Sequence, residues 1–277
     1  MVKKKEKFTN QTIWFSKNDI NIDNRISLKN LHGFVLPHAS TKYTGKIISH
    51  TLQFKPVKSF DTVIIIYFPV SNKENVDNKY YHEYFVPFMS IKHCIEKYWN
   101  INKKIKYIGI DLKNNKNINK LKLSNSLIIL SVDFSHNLTL QNALKLEDKA
   151  AHSLMFRNLE ENDYNNIIDH KLSFEYLYDY LQRDYEFQWI GRTRSPGLKG
   201  VGYLSFLLIK NTNKDNKKID GYYVTVYDEK MNSRECLGSY DKNTNNLDNF
   251  IIEVINKAKT TSRLTGGNNL DIPVTNY

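Results

Sequence analysis

Cysteine is nearly missing from this sequence: 277 residues hold two, Cys94 and Cys236. Two thiols cannot build the disulfide framework of a small secreted domain, and their spacing does not supply the paired ligands of a structural zinc site. A reducing, cytoplasmic compartment is therefore expected. Long apolar runs are missing too. Nothing approaches the ~18 consecutive apolar residues of a spanning helix, so no membrane insertion is expected. The start, "MVKKKEKFTNQ", is basic with no apolar stretch behind it, and no secretory signal is expected. The chain also lacks an internal repeat, a convincing linker and a nucleic-acid reader motif.

What is present is cationic. Lys plus Arg number 40 against 29 Asp plus Glu, a formal net charge of +11, a sign that attracts nucleic acid or an anionic surface. Much of the excess, however, is lysine mixed with asparagine in "NNKNINK" (114–120), "NTNKDNKK" (211–218) and "KKKEK". Such mixtures are what a very AT-rich genome writes into tolerant surface loops. Charge alone supplies non-specific affinity, so specific nucleic-acid binding is not expected.

Hydrophobic residues make up 40% of the chain, enough for one sizeable core. "LHGFVLPH" (31–38), "DTVIIIYFP" (61–69), "KIKYIGIDL" (104–112) and "SLIILSVDF" (126–134) read as strands, the second being the continuous β-branched run of a strand buried on both faces. "STKYTGKIISHTLQF", "YYHEYFVPFMSIKHCIEKYW", "LQNALKLEDKAAHSLMFRNLE" and "LSFEYLYDYLQRDY" carry helical stripes. "RTRSPGLKGVGYLSFLLIK" (192–210) reads as a turn entering another apolar helix, "DGYYVTVYDE" as a late strand and "LDNFIIEVINKAK" as a last helix. Alternating strands and helices predict an α/β fold, with a mostly parallel or mixed sheet between two helical layers. The expected division is an N-terminal extension over 1–30, one α/β domain over 31–260 and a loose tail over 261–277.

In open α/β sheets, ligands collect at the C-terminal ends of the strands. Three segments deliver polar residues there: "FVLPHAS" with His38, "YFPVSN" with Ser71 and Asn72, and "LSVDFSH" with Asp133 and His136. An aspartate beside a histidine suits acid–base work near neutral pH. On residue types alone, a helix cap followed by a solvated loop suits it better. Arg192, Arg194 and Lys199 around Pro196 fit either an anion clasp at a helix start or a solvated basic loop. The tyrosines of "FEYLYDYLQRDYEFQW" fit packing of a helix on the sheet better than base stacking.

The succession "LPHASTKYTG", an apolar strand ending at Pro69, "HEYFVP", "LSVDFSH", "WIGRTRSPGLKGVGYLSFLL" and "SRECLGSY" resembles the Memo family (AmmeMemoRadiSam system protein B) over residues 31–240. That family is related in fold to the class III extradiol dioxygenases. "DFSH" with "PHA" upstream is the most specific part. The resemblance implies that His38 stands at the first metal ligand, with Ser40 and Thr41 replacing a glycine and a tyrosine of that loop. It implies a second metal histidine where this chain has Ser71 or Asn72, and a cysteine ligand where it has Ile190. Glu83 matches the family's helix-start glutamate. Asp133 and His136 match its acid–base pair, His136 standing at the dioxygenases' catalytic base.

One ligand of three thus survives, and serine, asparagine and isoleucine are poor substitutes at an iron or copper centre. The expectation is a Memo-like protein with an incomplete metal site and no cofactor, catalytically lapsed and kept for binding a small ligand or a protein partner. His38, Ser71, Asn72, Ile190 and Arg192 would line its pocket. The rival is an active enzyme, either with iron or copper at a site rebuilt from His82, His93, Cys94 or Cys236, or working metal-free through Asp133 and His136.

Overall fold

The computed structural model describes residues 26–69, 81–99, 105–114, 125–156, 184–196, 199–210, 221–227 and 233–241, with isolated positions at 173, 175, 176, 181, 248, 249, 251, 252 and 256. Positions 46, 81–85, 152, 156, 221–227 and 233–241 are described by their backbone alone.

Ten strands and three long helices are described: β1 (Ile26–Leu28), β2 (Leu31–Leu36), α1 (Thr41–Leu52), β3 (Phe54–Pro56), β4 (Thr62–Tyr67), α2 (Tyr81–Trp99), β5 (Lys106–Asp111), β6 (Ser126–Ser131), α3 (Leu140–Phe156), β7 (Tyr185–Arg194), β8 (Gly202–Lys210), β9 (Gly221–Tyr227) and β10 (Ser233–Asp241). Six form one mixed sheet in the order β5-β4-β6-β2-β8-β7. The β5, β4, β6 and β2 strands run parallel, and the antiparallel pair β7–β8 closes the β2 side. β1 pairs with β3, and β9 with β10, as separate ribbons.

Helices cover both faces, which is why the central strands are apolar at successive positions rather than alternate ones. Ile64, Ile66, Ile128 and Leu130 point to a cluster with Ala150, Ala151 and Leu154 of α3. Val63, Ile65, Leu127 and Ile129 point the other way, to Ile47, Ile48 and Leu52 of α1 and Ile91 and Ile95 of α2. The two helices on that face are tied together as well as packed: the Trp99 indole donates to the Leu52 carbonyl at 2.6 Å, satisfying a carbonyl at the end of α1. Ser40 caps the other end of α1, accepting from the Lys42 amide at 3.4 Å.

The structure corrects the reading of residues 192–210. No helix follows the Pro–Gly turn; β7 and β8 form an antiparallel pair from Tyr185↔Lys210 to Arg194↔Gly202. β8 lies between β2 and β7 with Leu204, Phe206 and Leu208 facing α3 and Leu207 facing α1 and α2. A strand covered on both faces and a buried helix both read as unbroken apolar runs. Residues 26–28, ahead of the sheet, form β1 and pair with β3.

Candidate functional site

The parallel strands end in a common row, Leu36↔Ser131↔Tyr67↔Asp111. His38 stands two residues past β2, and Asp133 two residues past β6. Both are buried, at 5% exposure. The His38 amide donates to Asp133 Oδ1 at 2.9 Å, and the Ala39 amide donates to the same carboxyl. His38 Nε2 lies 3.8 Å from Asp133 Oδ2, beyond hydrogen-bond reach and an ion pair only when the imidazole is protonated. Ser131 Oγ donates its proton to the Pro87 carbonyl at 2.6 Å. It therefore accepts from the His38 Nδ1–H at 3.3 Å, a bond that sets the ring with Nε2 facing Asp133.

Burial pushes the Asp133 carboxyl up to about 6, against the lowering effect of the two amides and of His136. His136 is half-buried and close enough to act on Asp133 electrostatically. Tyr203, at the start of β8, completes the cluster. Burial first, then the charge of Asp133, raises its phenol, and its hydroxyl bonds to Ser195. The sequence reading missed Ser131 and Tyr203, because no local spacing marks residues that meet only through strand pairing.

A second polar group lies beside the first, on the α3 side. Glu147 is 1% exposed, accepts from Ser135 Oγ and from Arg194 Nη1, and faces Arg192 Nη1 at 3.8 Å. Arg192 reaches Asp148 at 2.7 Å, and Arg194 Nη2 donates to the carbonyls of Leu138 and Gly200. Burial raises the Glu147 carboxyl, with the arginines and Ser135 opposing. The segment over 132–138 is thereby fixed from several sides. Phe134 N donates to Gly202 O, Gly202 N donates to Ser135 O, and Asn137 turns the chain toward α3 at φ 58°.

Of the residues expected from the sequence, His38, Asp133 and His136 come together. Arg192 does not join them: it and Arg194 are buried ion-pair members within a strand, neither an anion clasp at a helix start nor a solvated loop. Ile190 packs in the apolar cluster with α1 and α2 and offers no donor. Ser71 and Asn72 lie outside the described residues, as do the side chains of His82, Glu83 and Cys236. His93 is half-buried on α2, and burial raises the Cys94 thiol to about 12, leaving a small apolar filler rather than a thiolate. Among the described residues no three His, Cys, Asp or Glu side chains converge as a ligand set. The donors described at these strand ends are the imidazoles of His38 and His136, the Asp133 carboxyl already taken by two amides, and the Ser131 hydroxyl.

No protein-family model and no curated protein matches this chain.

Proposed function

We propose that this chain is a Memo-like α/β protein whose metal chemistry has lapsed and which serves as a cytoplasmic binding protein for a small ligand or a protein partner. The observation that carries the reading is the commitment of Asp133. Its carboxyl ties the loop after β2 to the loop after β6 through the His38 and Ala39 amides, while Ile190, at the position of a cysteine ligand, belongs to the apolar core. The His38–Asp133–His136 cluster remains as a polar recognition surface at the strand ends.

An active enzyme is the rival reading. It is favoured by the Asp133 carboxyl near 6 beside two histidines, a range suited to proton transfer on a small polar or anionic substrate. Equilibrium titration of tag-free protein with iron(II) and with copper(I) tests the proposal. The expected result is weak, substoichiometric binding. One tightly held ion per chain, lost in His38→Ala, sinks it.

A further inference from the structure

We propose that the opposite pole of the sheet carries a separate binding site for a small organic anion, seated between Lys58 and Lys210. A cavity of about 410 Å³ opens where β2 and β6 begin and β8 ends, a volume within the usual range for small-molecule pockets. Its walls are apolar where the strands enter, with Leu31, Leu127 and Tyr185 buried and Phe60 half-buried. Its rim is cationic. Lys58 comes from the connection between β3 and β4, and Lys210 from the last position of β8.

Both lysines act electrostatically on a third side chain. His32 lies in the same lining, its ring 6.0 Å from that of Tyr185. Burial, then Lys210, then Lys58 lower its pKa, which keeps a neutral imidazole beside two cations. Neither lysine pairs with a carboxylate among the described residues, and both are exposed at the rim. Asp184 is the carboxylate in this lining, and it suits a hydroxyl or another donor on the ligand body. Two ammonium groups above an apolar floor match a phosphate or carboxylate attached to a short apolar or planar body.

The site lies away from the His38–Asp133 cluster and does not depend on the reading given to it. Calorimetric titration of the full chain at low salt with phenyl phosphate, benzoate, inorganic phosphate and phenol tests it. One molecule of phenyl phosphate or benzoate is expected to bind per chain, the stronger of the two identifying the anion. Phenol should not bind, and inorganic phosphate should bind at least tenfold more weakly. Lys58→Gln with Lys210→Gln, both exposed positions, should weaken the organic anion at least tenfold, and Lys113→Gln, an exposed charge at the other end of the sheet, should not. Absence of saturable binding by either organic anion, or binding unchanged in the double variant, overturns the site. Inorganic phosphate binding as tightly as phenyl phosphate overturns its organic part.

Discussion

At Asp133 two demands act on one carboxyl. The amides of His38 and Ala39 favour the charged form, burial favours the proton, and burial wins, leaving the group at about 6 rather than the usual 3.8. The native state thus holds this proton more tightly than the unfolded chain does. Stability from this group is fully present below about pH 4 and is lost as pH rises through about 6. Asp133→Asn keeps an oxygen for the His38 amide and cannot ionise. Denaturant unfolding from pH 4 to pH 7 should therefore show wild type losing on the order of 1–3 kcal/mol relative to the variant. A difference that grows in favour of wild type as pH rises means that the native carboxyl is ionised and paired with His38. His38 and Asp133 were legible as polar residues following apolar runs. Their partners were not, since Ser131 and His38 stand 93 positions apart and meet only because β6 inserts beside β2.

At the scale of elements, the parallel strands were readable and the β7–β8 pair was not, although β2, β4 and β6 are as buried as β7 and β8. "VIIIY" and "LIIL" are short and β-branched and follow turn residues. "GYLSFLLIK" carries leucines, and its pairing with β2 and β7 decides the matter from outside. Gly202 begins this strand because nothing larger fits there. A Cβ on it would collide with Glu147 Oε1 and lie 2.7 Å from Ser135 Oγ. Glu147 is buried and held by Ser135 and Arg194, so the carboxylate cannot swing into solvent to make room. Gly202→Ala should cost about 2–4 kcal/mol by displacing one member of a buried ion-pair group. Gly45, inside α1, is the contrast. A Cβ there meets Thr41 Cβ at 3.5 Å and the Tyr98 hydroxyl at 3.8 Å, ordinary contacts, and Gly45→Ala should stabilise by up to about 1 kcal/mol through helix propensity. Chemical denaturation of the two variants beside wild type checks both signs, and a Gly202→Ala protein as stable as wild type means that the Glu147 group is not rigid.

For the molecule as a whole, the positive charge is unevenly distributed along the sequence. The arginines that sit deepest, Arg192 and Arg194, are matched by Glu147 and Asp148 on α3, and buried paired charges contribute little to the field outside. The net +11 comes instead largely from lysines mixed with asparagine in "NNKNINK", "NTNKDNKK" and the N-terminal "KKKEK", segments almost wholly outside the described residues. No described helix is long and apolar enough to cross a membrane. Lysines neutralise phosphates whatever the sequence beneath them, whereas base edges are read by side chains placed in a groove. The chain should therefore bind duplex DNA weakly, with dissociation constants of about 10⁻⁴–10⁻⁶ M near physiological salt, and lose most of that affinity as salt rises from about 50 to 200 mM. Fluorescence anisotropy with AT-rich and GC-rich duplexes of equal length should give overlapping curves at each salt concentration. A tenfold or greater preference for one duplex that persists at the higher salt would instead require a base-reading surface, and would favour nucleic-acid recognition over the small-ligand or protein binding proposed above.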